Sequence, residues 1–240
     1  MVFSMTTNSF LKNIPAFLLY VLSFFLLLFP TLSIICIILL LLFVMVQEKI
    51  MVLSNILKSS ISVILLLFYL WHALGMIWSS NLDYGFKDLE TKLSFIVFPL
   101  IFSSLLISEE IRKNTLIAFM AGCFVTCIFS LINAENNYIN DADITHFFYN
   151  DLGNSIHPTY FSIYITIAIL ISLSFTKWKG TCITLTIAMC LIQLFFLAFL
   201  AMLSSRMATF TAFIVCTYYL FFHFVKDKLI SMEIVIYMEK

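Results

Sequence analysis

One arginine stands between two long apolar runs of the sequence. Arg206 lies in the middle of SSRMA, and an ionised side chain at bilayer depth costs about 2.5–3.5 kcal/mol on insertion scales, so a compensating interaction is expected. Its planar guanidinium can donate bidentate hydrogen bonds to phosphate, and the free amides of a helix beginning near Met207 would add to an anion site. The spacing fits equally well a helix-end anchor that only extends to the outer headgroups.

Two histidines lie in the stretch 135–159. His157 precedes Pro158 in NSIHPTYFSIY, where an imidazole at the membrane surface could carry a proton. The same residues are also typical of a helix start within an interfacial belt of aromatic side chains. His146 lies in the same acidic stretch and is the weaker candidate, so we keep His157 as the candidate substrate-binding histidine.

Motifs of soluble enzymes and of metal sites are absent from the sequence. There is no glycine-rich phosphate loop, no GxSxG and no HExxH. The six cysteines fall inside apolar runs without CxxC spacing, which predicts buried small hydrophobic residues rather than zinc ligands or disulfides. No metal or other cofactor is therefore expected. The cysteines are Cys36, Cys123, Cys127, Cys182, Cys190 and Cys216.

The composition predicts a membrane-embedded chain. Hydrophobic residues make up 62% of the 240 positions and charged residues 11%, whereas soluble domains have roughly a quarter charged. The formal net charge is zero, so no nucleic-acid partner is implied. We predict an all-α, polytopic transmembrane helical bundle of about eight spans in a single domain, 1–240. The predicted spans are 14–29, 31–46, 60–78, 93–107, 115–134, 160–175, 181–203 and 207–225.

Length decides how many spans the first apolar stretch contains. Residues 14–46 carry no charge, and one straight helix through them would be about 50 Å long, against a hydrocarbon core of about 30 Å. Two short helices that meet at Pro30 fit the bilayer better, because proline interrupts a helix. We therefore predict two spans there.

The positive charges predict the orientation. Alternation from a cytoplasmic amino terminus places ten of the 13 Lys and Arg residues inside, in agreement with the preference of cations for the cytoplasmic side. Both termini are then cytoplasmic, with a cytoplasmic tail at 226–240. The predicted outer segments, where function is expected, are 79–92, 135–159 and 204–206.

The first outer segment, 79–92, begins with turn-forming residues and continues as a short amphipathic stretch. Lys87, Asp88, Glu90 and Lys92 alternate there with apolar residues. Such a stretch could lie in the membrane interface, and a solvated loop is the alternative. The sequence leaves both interpretations open.

Three segments, in this order, resemble the O-antigen ligase and O-antigen polymerase superfamily of bacterial envelope proteins. They are GMIWSSNLDYGFKDLETKLSFIVFPLIF, HPTYFSIY and LSSRMATFTAF, and the resemblance runs from about Trp71 to Val225. It implies transfer of a glycan from a polyprenyl-diphosphate carrier to a lipid or glycan acceptor, on lipopolysaccharide or another surface polysaccharide. Neither a nucleotide nor a metal takes part. The resemblance also implies a multi-pass protein of the bacterial inner membrane.

The resemblance also implies roles for individual residues. Ser205 and Arg206 match the family's Ser-Arg position, where the arginine is implied to bind the donor diphosphate and stabilise its departing negative charge. Family members usually continue through a further large outer loop that supplies a functional histidine. The catalytic histidine is therefore expected beyond Lys240, on a separate carboxy-terminal fragment as partner, and the 240-residue chain alone is expected to be inactive.

Two alternative functions stay open. A polymerase would lengthen a repeat-unit glycan instead of attaching it to an acceptor lipid, and the sequence does not separate it from a ligase. A non-enzymatic transporter or scaffold for lipid-linked glycans is the other alternative. A transporter is expected to carry ionisable groups near span centres or helices broken in corresponding halves, and neither pattern is evident.

Overall fold

The computed structural model contains helices joined by short turns. Every regular element among the described residues is helical, which confirms the all-α prediction for that part of the chain. The structure describes residues 3–47, 56, 58–105, 107–153, 156–176, 183–203, 209–214, 216–219 and 221. The chain divides into two compact units, Met1–Ala118 and Phe119–Lys240.

Among its described residues, the first unit contains five α-helices, a 3-10 turn at Met76–Trp78 and the beginning of a sixth α-helix. Pro30 is the first residue of the second helix. A proline costs no hydrogen bond there, because the first amides of a helix have no partner within it. The turn before Pro30 separates two helices, as the length of 14–46 predicts. The helices are α1 (Phe3–Phe25), α2 (Pro30–Gln47), α3 (Ser60–Gly75), α4 (Leu82–Thr91), α5 (Ser94–Ser104) and the start of α6 (Glu109–Asp141).

The core of the first unit lies where α1, α2 and α5 meet. Leu19 and Leu22 from α1 pack against Leu40 from α2 and Ile101 from α5, and all four are buried. α5 has 11 residues, with Pro99 inside it, so its length is only about 16 Å. It is shorter than the predicted span 93–107 and reaches about halfway through a bilayer core.

The described part of the second unit contains most of α6 and three further α-helices with defined bounds. Its core is aromatic, since Phe161 packs against Phe199 with ring centroids 5.3 Å apart and Phe124 packs against Phe195 at 4.9 Å. Residues 209–214 and 216–219 are also helical. The further helices are α7 (Tyr149–Gly153), α8 (Pro158–Thr176) and α9 (Ile183–Met202).

Within the part of the chain that the structure describes, three helical segments are long and apolar enough to cross a membrane. They are Ser60–Trp78, Glu109–Asp141 and Pro158–Phe175, with shorter apolar helices at 13–25, 30–46 and 186–202. Large apolar side chains such as Ile38, Met45 and Trp71 are exposed on the helix surfaces, as expected for a chain whose solvent is lipid. The count of eight spans and the placement of the termini stay predictions.

The cysteines differ in part from the prediction that all of them are buried. Cys36, Cys123 and Cys127 are buried, whereas Cys190 is exposed and Cys216 is half-buried. The prediction is wrong for Cys190 because an apolar residue of a membrane helix can face lipid as readily as the protein interior. Cys182 lies outside the described residues.

Removing the Phe161 side chain should destabilise the second unit. We expect Phe161→Ala to lower the free energy of unfolding by about 3–5 kcal/mol, because the cavity removes packing contacts with α9. The matched control is Phe129→Ala, which truncates an exposed phenylalanine on α6. The measurement is the thermal unfolding midpoint in detergent, and equal shifts for the two variants would contradict the described core.

Candidate functional site

Two of the predicted site residues lie outside the described part of the chain. Ser205 and Arg206 fall between the end of α9 at Met202 and the helical segment that begins at Thr209. The sequence therefore places the cation between two helices, and the hydrogen-bond partners of Arg206 stay a prediction.

His157 lies immediately before α8 and is exposed. Its Nδ1 accepts a hydrogen bond from the Thr159 backbone amide at 3.3 Å, and its backbone oxygen accepts one from the Phe161 amide at 3.1 Å. Its ring lies 5.9 Å from that of Tyr160. These contacts cap the first turn of α8, as the helix-start interpretation of NSIHPTYF expects, and they leave Nε2 as the nitrogen that could meet a substrate.

The polar end of α6 was not predicted from the sequence. The span was predicted to end at 134, but the helix continues to Asp141. The helix stops before Ala142, whose φ of 58° lies in the left-handed region. The Ala142 amide donates a hydrogen bond to the Tyr138 oxygen at 2.8 Å. Because the uncharged residues 114–134 already span about 31 Å, the last turns of α6 project about 10 Å beyond the apolar stretch.

A histidine lies between two carboxylates at that projecting end. His146 Nε2 is 2.7 Å from Asp141 Oδ2, and its Nδ1 is 3.4 Å from Asp151 Oδ2. Asp143 caps the intervening 3-10 turn, Ile144–Phe147, by accepting the Thr145 amide at 2.9 Å. We call Asp141, Asp143, His146 and Asp151 the His146 cluster; it joins the end of α6 to α7.

The electrostatics of the His146 cluster follow from these contacts. The hydrogen bond to Asp141 raises the pKa of His146 above 6.5, with smaller contributions from the charges of Asp141, Asp151 and Asp143. The hydrogen bond from His146 in turn lowers the pKa of the Asp141 carboxyl below 3.8. Hydrogen bonds from Thr145 lower that of Asp143. The protonated form of His146 is therefore favoured by its contacts with these carboxylates.

The His146 cluster is better suited to holding the connection between α6 and α7 in place than to removing a proton from a substrate. Both ring nitrogens of His146 face carboxylate oxygens, so the imidazole could act as a base only after Asp151, the more distant partner, moves away. Among the described residues, no group of three or more His, Cys, Asp or Glu side chains is arranged to hold a metal ion. The outward-facing lone pairs of Asp141 and Asp151 can still accept hydrogen bonds from a hydroxylated ligand.

Two open grooves lie in the first unit. One, of about 450 Å³, lies between α3 and α5, and Lys58 supplies its charge above the apolar walls formed by Leu65 and Phe98. The other, of about 330 Å³, lies where α3 approaches α4 and is bordered by Trp71 and Asp88. Both grooves combine apolar walls with one charged group, as a site for an amphiphilic molecule would.

Comparisons of this chain with protein-family models, with curated proteins and with solved structures found no match.

The contacts of the His146 cluster should depend on pH. The contribution of His146 to stability is complete below about pH 6.5 and is lost as the pH rises through its raised pKa. The contribution of Asp141 is complete above about pH 3.8 and is lost as the pH falls through its lowered pKa. We expect amide-exchange protection factors over 143–148 to be greatest between these two pH values and to fall toward pH 8.

Replacement of the histidine provides the control. His146→Asn should abolish the fall in protection between pH 6.5 and 8, because no titrating imidazole remains. His157→Asn is the matched variant, since it removes the histidine that has no carboxylate partner among its described contacts. A pH profile that survives His146→Asn would contradict this assignment.

Proposed function

We propose that this chain is a membrane protein of the O-antigen ligase or polymerase type, which acts on a polyprenyl-diphosphate-linked glycan at the outer face of a bacterial inner membrane. The order of three segments supports the proposal: the amphipathic segment 79–92, then HPTYFSIY, then SSRMA. Helices long and apolar enough to span a membrane are compatible with a lipid-linked substrate. The eight-span topology with both termini cytoplasmic is part of the proposal.

The observation that carries the proposal is the position of Arg206. It is one of the two arginines of the chain and lies between α9 and the helical segment starting at Thr209. A guanidinium surrounded by apolar sequence needs an anion partner, and a diphosphate offers two adjacent groups that match its bidentate donors. In the transfer step, negative charge builds up on the departing diphosphate, and Arg206 would stabilise it there.

The His146 cluster gives the proposed outer loop, 135–159, a defined shape. Its carboxylates, Asp141 and Asp151, are about half exposed and can accept hydrogen bonds from sugar hydroxyls. We propose that this loop contacts the acceptor glycan, with His157 at the base of the loop where α8 begins. The loop carries no Lys or Arg, so it would not compete with Arg206 for the diphosphate.

Binding of the donor should depend on Arg206. We expect Arg206→Ala to weaken binding of a polyprenyl diphosphate to the purified chain by about 10- to 100-fold, as loss of a charged hydrogen bond worth about 1.5–3 kcal/mol implies. Arg112→Ala is the matched control, because this exposed arginine already pairs with Glu109. Binding by microscale thermophoresis in detergent measures both, and equal losses in the two variants would contradict the proposed diphosphate site.

The glycan profile of cells should distinguish the candidate functions. In a strain lacking this locus, the intact locus should restore the surface glycan and the same locus carrying Arg206→Ala should not, because the variant binds the diphosphate weakly. Restored attachment with unchanged glycan length indicates a ligase, whereas restored length indicates a polymerase. Accumulation of lipid-linked glycan inside the membrane, with no dependence on Arg206, would instead favour a transporter or scaffold.

A further inference from the structure

α4 is a short helix with an amphipathic sequence. Its start is capped by Asn81, whose side chain accepts the Tyr84 amide at 3.1 Å, and Asp83 lies in its first turn, where a negative charge is favourable. Near its other end Lys92 forms an ion pair with Asp88, one turn earlier. The segment is thus a helix rather than an irregular solvated loop.

Apolar residues of α4 fall on one face. Leu82, Phe86 and Leu89 are spaced by four and three residues, and Leu93 continues the same line in the following turn. Lys87, Asp88 and Thr91 fall on the opposite face. In this structure Leu82 is 55% exposed, Phe86 63% and Leu93 45%, so the protein does not cover the apolar face.

Both ends of α4 are held close to apolar helices. Only residues 79–81 separate it from Trp78, so its first residue lies within about 14 Å of the end of the spanning segment Ser60–Trp78. After α4, two residues lead into the apolar helix α5. α4 also lies against the end of α3, because a Cβ atom placed on Gly85 would be 3.3 Å from Cε of Met76.

The apolar surface of α3 continues to the point where α4 begins. Ile77 and Trp78 are exposed at the end of the spanning segment, and Trp71 is exposed one to two turns earlier. Tryptophan is typical of the boundary between acyl chains and headgroups, which places this end of α3 at that boundary. The apolar face of α4 is thus continuous with a lipid-facing surface.

We propose that α4 lies in the membrane surface, with Leu82, Phe86 and Leu93 among the lipid acyl chains and with Lys87, Asp88 and Thr91 toward water. The occupant of this face is the bilayer that surrounds α3, and not a second copy of the chain or another protein. Burial of 5–10 Å at the headgroup boundary is usual for helices with one apolar and one charged face. This inference does not depend on the proposed glycan chemistry.

Photo-crosslinking tests the position of α4 in the full chain. A benzophenone amino acid replaces Phe86 in one variant and Thr91, which is exposed on the opposite face, in the other. Each protein is reconstituted in nanodiscs of palmitoyl-oleoyl phosphatidylglycerol and phosphatidylethanolamine. After irradiation, mass spectrometry quantifies lipid adducts. We expect at least about tenfold more lipid adduct from position 86 than from position 91, because only the apolar face reaches the acyl chains.

Three results would overturn the proposal: equal lipid adducts at the two positions, no lipid adduct at position 86, or protein adducts in place of lipid there. A second measurement places benzophenone at Leu82 and adds Phe86→Glu, which puts a charge on the apolar face. Lipid adducts at position 82 should then decrease several-fold, whereas adding Thr91→Glu instead, which puts the same charge on the opposite face, should leave them unchanged. An unchanged yield with Phe86→Glu would also contradict membrane insertion of this face.

Discussion

Peptide groups in an apolar solvent must find their hydrogen-bond partners within the chain, and the described structure follows from this requirement. Helices satisfy it locally, and side-chain hydroxyls within them bond to backbone oxygens of the preceding turn. Ser162 donates to the Pro158 oxygen at 2.7 Å, Thr166 to the Ser162 oxygen at 2.8 Å and Thr126 to the Gly122 oxygen at 2.8 Å. Polar residues can therefore occupy apolar helices without requiring partners on other elements.

The same requirement moves the distinctive chemistry to the helix ends. The first amides and last carbonyls of a helix need other partners, and side chains supply them where the helices reach water. Asn81 caps α4, Asp143 caps the turn after α6 and His157 caps α8. The charged and titrating groups discussed above accordingly lie at the boundaries of helices rather than at their centres.

The sequence was sufficient for the helical class and for the apolar segments, because hydropathy and charge determine what lipid accepts. It also indicated the break at Pro30, since length and proline chemistry agree there. The extension of α6 to Asp141 was missed because ENNYIND is polar and turn-forming, and only the left-handed Ala142 and the following cap determine where that helix ends.

The His146 cluster was missed for a related reason. His146 has no carboxylate next to it in the sequence. Asp141 and Asp151 lie five residues before and after it, and the fold brings both carboxylates into contact with its ring. That symmetric acidic spacing was the available signal. The roles of Ser205 and Arg206 remain predictions from the sequence, and so does the single-domain organisation. The amphipathic stretch within 79–92 corresponds to the helix α4.

The length of α6 has a consequence for how the protein senses its bilayer. A helix of 33 residues measures about 50 Å, so it exceeds the hydrocarbon core by several turns, with charged residues at both ends. A thicker or thinner membrane would change the length of α6 that projects from the hydrocarbon core. Each residue that enters or leaves the core changes the projecting length by about 1.5 Å. Hydrophobic mismatch would therefore set the height of the His146 cluster above the lipid.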